Sequence, residues 1–202
     1  MISSIRTIPL PMNNAALSLL LAAEHSLCSS INPSKEYQVF QKTMTLQAHV
    51  IPKESRPMLI DTSMQSADYL ANKSLYLLTQ KVISQAIASH ETSSAFSIEV
   101  QHTIHLTTQT KEPGSPPQSF SPSYQKASEF SIQFALTRKN VEGSTLLLFD
   151  PYYFSPLFSA VLQPMQGIIW PSSYLQHDYT PLYASDPSCL GLASFLSFYI
   201  KK

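Results

Sequence analysis

Residues 163–183 read QPMQGIIWPSSYLQHDYTPLY. Gly167-Ile168-Ile169-Trp170 has the make-up of a short buried strand, rich in β-branched and aromatic side chains. Pro171-Ser172 follows, and a proline with no N–H to donate and a fixed φ ends the ladder in a corner. A second short strand then starts at His177, before Pro181 stops it. The run is two strands around a Pro-Ser corner, with one histidine at the start of the second.

Outward from this run, the last third of the chain keeps the same character. SIQFAL (131–136), STLLLF (144–149), AVLQ (160–163) and LASFLSFYI (192–200) are expected strands, separated by RKNVEG and DPYYFSPLF. The aromatic group Tyr152, Tyr153, Phe154 and Phe158 reads as a packed or interface loop. Before these, FSIEVQHTIHLTTQT (96–110) alternates with period two. Phe96, Ile98, Val100, His102, Ile104 and Leu106 fall on one face, and Glu99, Gln101, Thr103, His105 and Thr107 on the other. His102 and His105 therefore point to opposite faces and cannot chelate one ion from a regular strand. Between these regions, KEPGSPPQSFSPSYQKAS (111–128) is a long polar loop and a candidate ordered flap.

The N-terminal half mixes helix and strand. Residues 1–12 are extended around Pro9 and Pro11. Asn13 or Asn14 caps a helix over about 15–29 whose face is Leu17, Leu20, Leu21, Leu27 and Cys28. His25 is a partly exposed helix histidine. Residues 37–51 alternate as a strand with a bulge near Gln41, and Met58-Leu59-Ile60 is a short apolar piece. The longest helix covers about 63–90, with Met64, Ala67, Ala71, Leu75, Leu78, Val82 and Ala86 in one stripe, and it should lie against the sheet.

Composition narrows the function classes. The chain has 202 residues, which fits a single domain over 1–202, with 1–92 as an N-terminal helical and strand support and 93–202 as the β-rich core. Charged residues make up 13% against a usual value of about 25%, and 13 basic balance 13 acidic residues. That balance gives no footprint for nucleic acid or an anionic membrane, and the low charge points to a protein partner or a homo-oligomer. With 4 glycines there is no phosphate-cradling GxGxxG or GxxxxGK[ST]. Cys28 and Cys189 are expected as free buried thiols, and no zinc spacing exists. No run reaches the roughly 20 apolar residues of a membrane span. AALSLLLAA (15–23) is broken by Asn13, Asn14, Glu24 and His25, so a cytoplasmic protein is expected over a secreted one.

From about residue 96 onward, the chain resembles the Fe(II)/2-oxoglutarate-dependent oxygenases of the prolyl-hydroxylase type. Pro164, Gly167, Trp170-Pro171-Ser172, His177 and Pro181 follow that family's P-x-x-G…F-P-S…H…P segment. FALTRKNVEGSTLLLFDP (134–151) is similar to its strand–turn–strand portion, and SFLSFYI to its closing strand. The resemblance implies an α+β fold, with two N-terminal helices packed on an antiparallel double-stranded β-helix of the jelly-roll or cupin-like type.

The resemblance also implies a site. Such enzymes hold Fe(II) on two histidines and a carboxylate, leaving positions for 2-oxoglutarate and O2. His177 takes the distal histidine position and His105 the proximal one, with Thr107 where the family has an acid. A second alignment, with the loop shortened, puts Ser123-Tyr124-Gln125 at the proximal position, without ligands. The basic residue that pairs with 2-oxoglutarate has no counterpart after His177, since no Lys or Arg lies between Arg138-Lys139 and Lys201. Lys126 and Arg138 are the remaining candidates for that cofactor contact. No catalytic residue is assignable. Asp178 reads as the acceptor of a turn N–H. The expected function is an oxygenase-like protein with degenerate iron and 2-oxoglutarate sites, acting as a binding or structural component. The alternatives are an active hydroxylase with an altered metal site and a jelly-roll structural subunit of a larger assembly.

Overall fold

The computed structural model describes residues 5–11, 17–18, 21–22, 24, 36–50, 58–61, 81–82, 94–114, 122, 128–152 and 155–201. Among them run twelve strands. They are β1 (Arg6–Pro9), β2 (Tyr37–Val50), β3 (Met58–Asp61), β4 (Ser94–Thr107), β5 (Phe130–Lys139), β6 (Val141–Gly143), β7 (Leu146–Phe149), β8 (Phe158–Ala160), β9 (Gln166–Trp170), β10 (Gln176–Tyr179), β11 (Leu182–Ala184) and β12 (Gly191–Lys201). They form a seven-stranded sheet in the order β1-β9-β5-β12-β4-β2-β3, a three-stranded sheet β10-β7-β8, and a two-stranded pair β11-β6. The pairings between named strands are all antiparallel.

The large sheet is buried on both faces along its middle strands, and the sequence shows why. β12 is a nearly continuous apolar run and β5 carries Phe130, Ile132, Phe134, Ala135 and Leu136, and almost every residue in each strand is buried. One face carries Phe96, Ile98, Val100, Ile132, Phe134, Phe198 and Ile200, which pack with Leu10 and Val82. The other face carries Ala135, Ile168, Trp170, Ala193 and Phe195, which pack with Leu146 and Leu148 of the small sheet and with Leu175 and Leu182. The strand-rich half is thus a two-sheet sandwich in the jelly-roll manner, and the second core layer lies on the sheet's back.

The alternation expected for residues 96–110 is present, and β4 splits as read: His102 is buried on the back, while His105 faces the small sheet. The corner of residues 163–183 is also present, as β9, the turn through Pro171 and Ser172, and β10. Here the turn closes with the Leu175 N–H on the Pro171 carbonyl at 2.9 Å.

Several expectations are corrected. β2 pairs with β4 in unbroken register from Tyr37 to Val50, so no bulge interrupts it near Gln41. The strand read at 160–163 is β8, ending at Ala160, because its ladder partner β7 pairs only as far as Leu146 opposite Ala160. RKNVEG, read as a connection, contributes β6. Cys189 is free but exposed rather than buried, since it sits in the polar turn before β12. The two helices expected over 15–29 and 63–90, like Cys28, His25 and most of the 111–128 loop, lie largely outside the described residues. Among the described residues no helix is long and apolar enough to cross a membrane.

Candidate active-site cavity

The space between the large and small sheets holds a cavity of about 340 Å3. β4 contributes Thr103 and His105 to its wall, β5 contributes Gln133, and β12 contributes Phe195, Ser197 and Tyr199. All are alternate residues on the inward face, the spacing that the pleat requires. The opposite wall comes from Tyr179 to Leu182, at the end of the opening segment, together with Ser144; Tyr37 closes one end.

His105 is not an open ring in this wall. Its Nδ1 meets the Tyr37 hydroxyl at 2.7 Å, and its ring packs edge-on against Phe195 with centroids 5.8 Å apart. Burial holds the imidazole below its ordinary value of 6.5, since desolvation penalises the charged form. Burial likewise raises the Tyr37 phenol. On the far side, burial pushes the Tyr179 phenol well up; the nearby Tyr199 and Asp178 add to this and the Gln133 amide opposes it. The Tyr199 phenol is raised as well, again mainly by burial. The described wall is therefore neutral and rich in hydroxyls and rings.

His177 lies elsewhere in the same interior. It stands opposite Leu148 in the β10–β7 ladder, so it shares the inward face of the small sheet. Its ring lies 5.9 Å from Trp170 and 5.7 Å from Tyr179. The register measures how far the level of Trp170 lies from His105. Trp170 pairs with Ser131 and Ser131 with Tyr199, whereas His105 pairs with Ala193. Tyr199 and Ala193 are six residues apart on β12, or roughly 20 Å at about 3.3 Å per residue. The strand level of Trp170, which the His177 ring meets, thus lies far from that of His105 along the large sheet, while Tyr179 both lines the cavity with His105 and meets the His177 ring. Thr107, two residues on from His105, is buried and accepts the Gln109 N–H at 3.1 Å. Asp178 accepts not a turn N–H but that of its own strand neighbour Tyr179, at 2.8 Å. Among the described residues no group of three or more His, Cys, Asp and Glu side chains could hold a metal ion.

Arg138 reaches the cavity side by an irregularity. Up to Ala135, the odd residues of β5 face inward, which would turn Arg138 to the back. The register shifts between Phe195↔Ala135 and Ser194↔Thr137, so one extra residue, Leu136, enters β5. Arg138 then stands opposite Ala193, the residue paired on its other side with His105. Its guanidinium donates from Nη2 to the carbonyl of Gly143, the last residue of β6, at 2.8 Å. Its Nη1 is buried without a partner, and burial lowers its pKa from the ordinary value. Lys126 and Ser123-Tyr124-Gln125 lie outside the described residues.

Sequence reasoning missed a buried polar cluster on the back of the large sheet. The Glu24 carboxylate accepts from Thr137 Oγ1 at 2.8 Å and from Ser194 Oγ, and its Oε1 lies 3.4 Å from His102 Nε2. Burial raises this carboxyl, but the hydrogen bonds from His102, Ser194 and Thr137 outweigh it and leave it below its ordinary value. Glu24 follows Leu20 and Leu21 at spacings of four and three in the sequence, but Leu21 is itself exposed, so that stripe does not foretell the burial of Glu24.

No family model matches the sequence, and no curated protein matches it. Solved structures do match. The Fe(II)/α-ketoglutarate-dependent dioxygenase TqaL aligns with 99% of this chain and 83% of its own, at a TM-score of 0.66 and 9% identity. IDO from Bacillus thuringiensis aligns over 98% and 90%, with a TM-score of 0.61 and 12% identity. A 2OG-Fe(II) oxygenase family oxidoreductase from Burkholderia pseudomallei aligns over 98% and 85%, at 0.54 and 13% identity.

The chain has the fold of the Fe(II)/2-oxoglutarate oxygenases.

At these identities the likeness concerns the fold, and the oxygenase chemistry has to be tested against the residues themselves. The described residues show no side-chain group of the kind that would hold Fe(II). His177 has the interior position expected of a distal ligand. His105 is engaged with Tyr37, and the described residues lining the cavity include no Lys or Arg.

Proposed function

We propose that this protein is an oxygenase-fold binding protein, whose cavity takes a small ligand without the iron-centred reaction of its structural neighbours. The difference in strand level between His105 and Trp170, which the His177 ring meets, carries this reading. A non-haem iron needs both rings within about 2.1 Å of one point, together with an acid. A protein partner or a second copy is part of the proposal. Tyr152, Leu157 and Tyr174 are large side chains left exposed, which suits a surface that meets another chain.

The test is iron loading. Trp170 is the chain's one tryptophan and touches His177, so its emission reports any metal that reaches that ring. Anaerobic titration with Fe(II), with and without 2-oxoglutarate, should leave emission and melting temperature unchanged, and the purified protein should hold far less than one iron per chain. Saturable quenching near one equivalent, or succinate release with a substrate panel, overturns the proposal.

A second reading, an active hydroxylase with an altered site, is favoured by two observations. His177 faces the interior, and the extra residue in β5 turns Arg138 to the cavity side. In that case Arg138, or Lys126, pairs with the far carboxylate of 2-oxoglutarate. Arg138→Ala would then abolish a 2-oxoglutarate-induced rise in melting temperature that wild type shows.

A further inference from the structure

Resting on the binding-protein reading, we propose that the cavity takes an uncharged carbonyl compound, whose oxygen accepts a hydrogen bond from the Nε2–H of His105.

The bond to Tyr37 decides what this ring offers. His105 Nδ1 and the Tyr37 hydroxyl are 2.7 Å apart, so one of the two donates to the other. Burial keeps both neutral, lowering the imidazole and raising the phenol. A neutral imidazole has one bare nitrogen and one that carries hydrogen, and the partner of one nitrogen sets the state of the other. A phenol is a far better donor than an imidazole N–H. The hydroxyl therefore donates to a bare Nδ1, and the ring's proton sits on Nε2. That nitrogen has no hydrogen-bond partner among the described residues and is not sealed from solvent, and the ring lines the cavity. Phe195 packs edge-on against the imidazole with centroids 5.8 Å apart and fixes its plane. His105 thus meets an occupant as a donor held at one point.

The rest of the wall selects the body that carries the acceptor. Among the described residues lining the cavity there is no Asp, Glu, Lys or Arg, so a charged occupant would lose its hydration uncompensated. Phe195, Pro181 and Leu182 line the same space with apolar surface. Thr103, two residues before His105 on the same face of β4, adds a hydroxyl about 7 Å along the strand. A volume of about 340 Å3 is near the lower end of the range for small-molecule sites and suits a compact ring. Cyclic ketones and lactams share this chemistry.

The experiment is saturation-transfer NMR on the full chain with cyclohexanone, δ-valerolactam, methylenecyclohexane and 2-oxoglutarate. Methylenecyclohexane keeps the ring and lacks the acceptor. The expected result is transfer to one of the two carbonyl probes, which names ketone or lactam as the source. Methylenecyclohexane should bind at least about tenfold more weakly, and 2-oxoglutarate should show no transfer. A long-range 1H–15N spectrum of the free protein should show His105 protonated at Nε2. His105→Gln sets an amide N–H near the place of Nε2 and should hold the carbonyl probe within about threefold of wild type. His105→Phe should weaken it at least about tenfold. If His105→Phe does not fold, the tautomer and the matched probes decide. A proton on Nδ1 overturns the inference, as does equal binding of the carbonyl and methylene probes. So do equal losses in His105→Gln and His105→Phe, unchanged binding in His105→Phe, 2-oxoglutarate binding as tight as the carbonyl probes, or binding of no probe. All of these leave the binding-protein reading standing. Stoichiometric iron in the purified protein overturns the reading beneath it instead.

Discussion

Glu24 and Thr137 are joined by a hydrogen bond of 2.8 Å on the buried back of the large sheet, across 113 residues of chain. The same carboxylate takes Ser194 from the neighbouring β12 and meets His102 from β4. One side chain from the N-terminal region thus ties three adjacent strands of the sheet.

Replacing Glu24 by alanine should therefore cost about 3 kcal/mol, as donors buried around a charged acceptor lose it together. Urea denaturation followed by Trp170 emission measures this. A loss below about 0.5 kcal/mol would show that the contact is not holding the sheet.

The same site sets an acid dependence. The Glu24 carboxyl is held below its ordinary value of 4.5, so the folded chain binds fewer protons there than the unfolded one. Its stabilisation is complete above pH 4.5 and is lost as pH falls through the lower folded value. Glu24→Gln should show a flatter fall in urea midpoint below pH 4.5 than wild type. Parallel curves would sink this assignment.

Gly143 has φ of 80°, and an added Cβ would overlap the Pro181 carbonyl oxygen. Gly143→Ala should destabilise by roughly 2–3 kcal/mol, combining left-handed strain with displacement of β11 from β6. Thermal unfolding by circular dichroism gives the value. An unchanged melting temperature would mean the turn relaxes freely.

Tyr37→Phe removes the hydroxyl that meets His105 at 2.7 Å, at the cavity end. The expected cost is about 1 kcal/mol, with the fold retained. The His105 ring resonances should shift in heteronuclear NMR while those of His177 stay in place. Equal shifts at both rings would contradict the difference in level derived from the register.

Legibility in the sequence followed the range of the forces involved. Period-two alternation in β4 assigned His102 and His105 to opposite faces correctly, because side-chain direction in a strand depends on parity alone. Pro171 and Ser172 announced their corner because proline acts locally. Arg138 was named, but its facing depends on the extra Leu136, which only the pairing of β5 with β12 reveals. Glu24 was passed over because its partners come from strands far along the chain. His105 and Trp170, which His177 meets, lie on one interior surface but at different heights, and the height is set by ladder register across the strands between them, which no local pattern encodes.

β12, the last of the twelve strands in chain order, fills the slot between β4 and β5 at the middle of the large sheet. A ribosome delivers every other strand first. Until residue 201 has left the exit tunnel, β4 and β5 present unpaired edges rich in isoleucine and phenylalanine. Nascent chains stalled before residue 191 should thus be clients for chaperones, because the central slot of the large sheet is still empty and two apolar edges are bare.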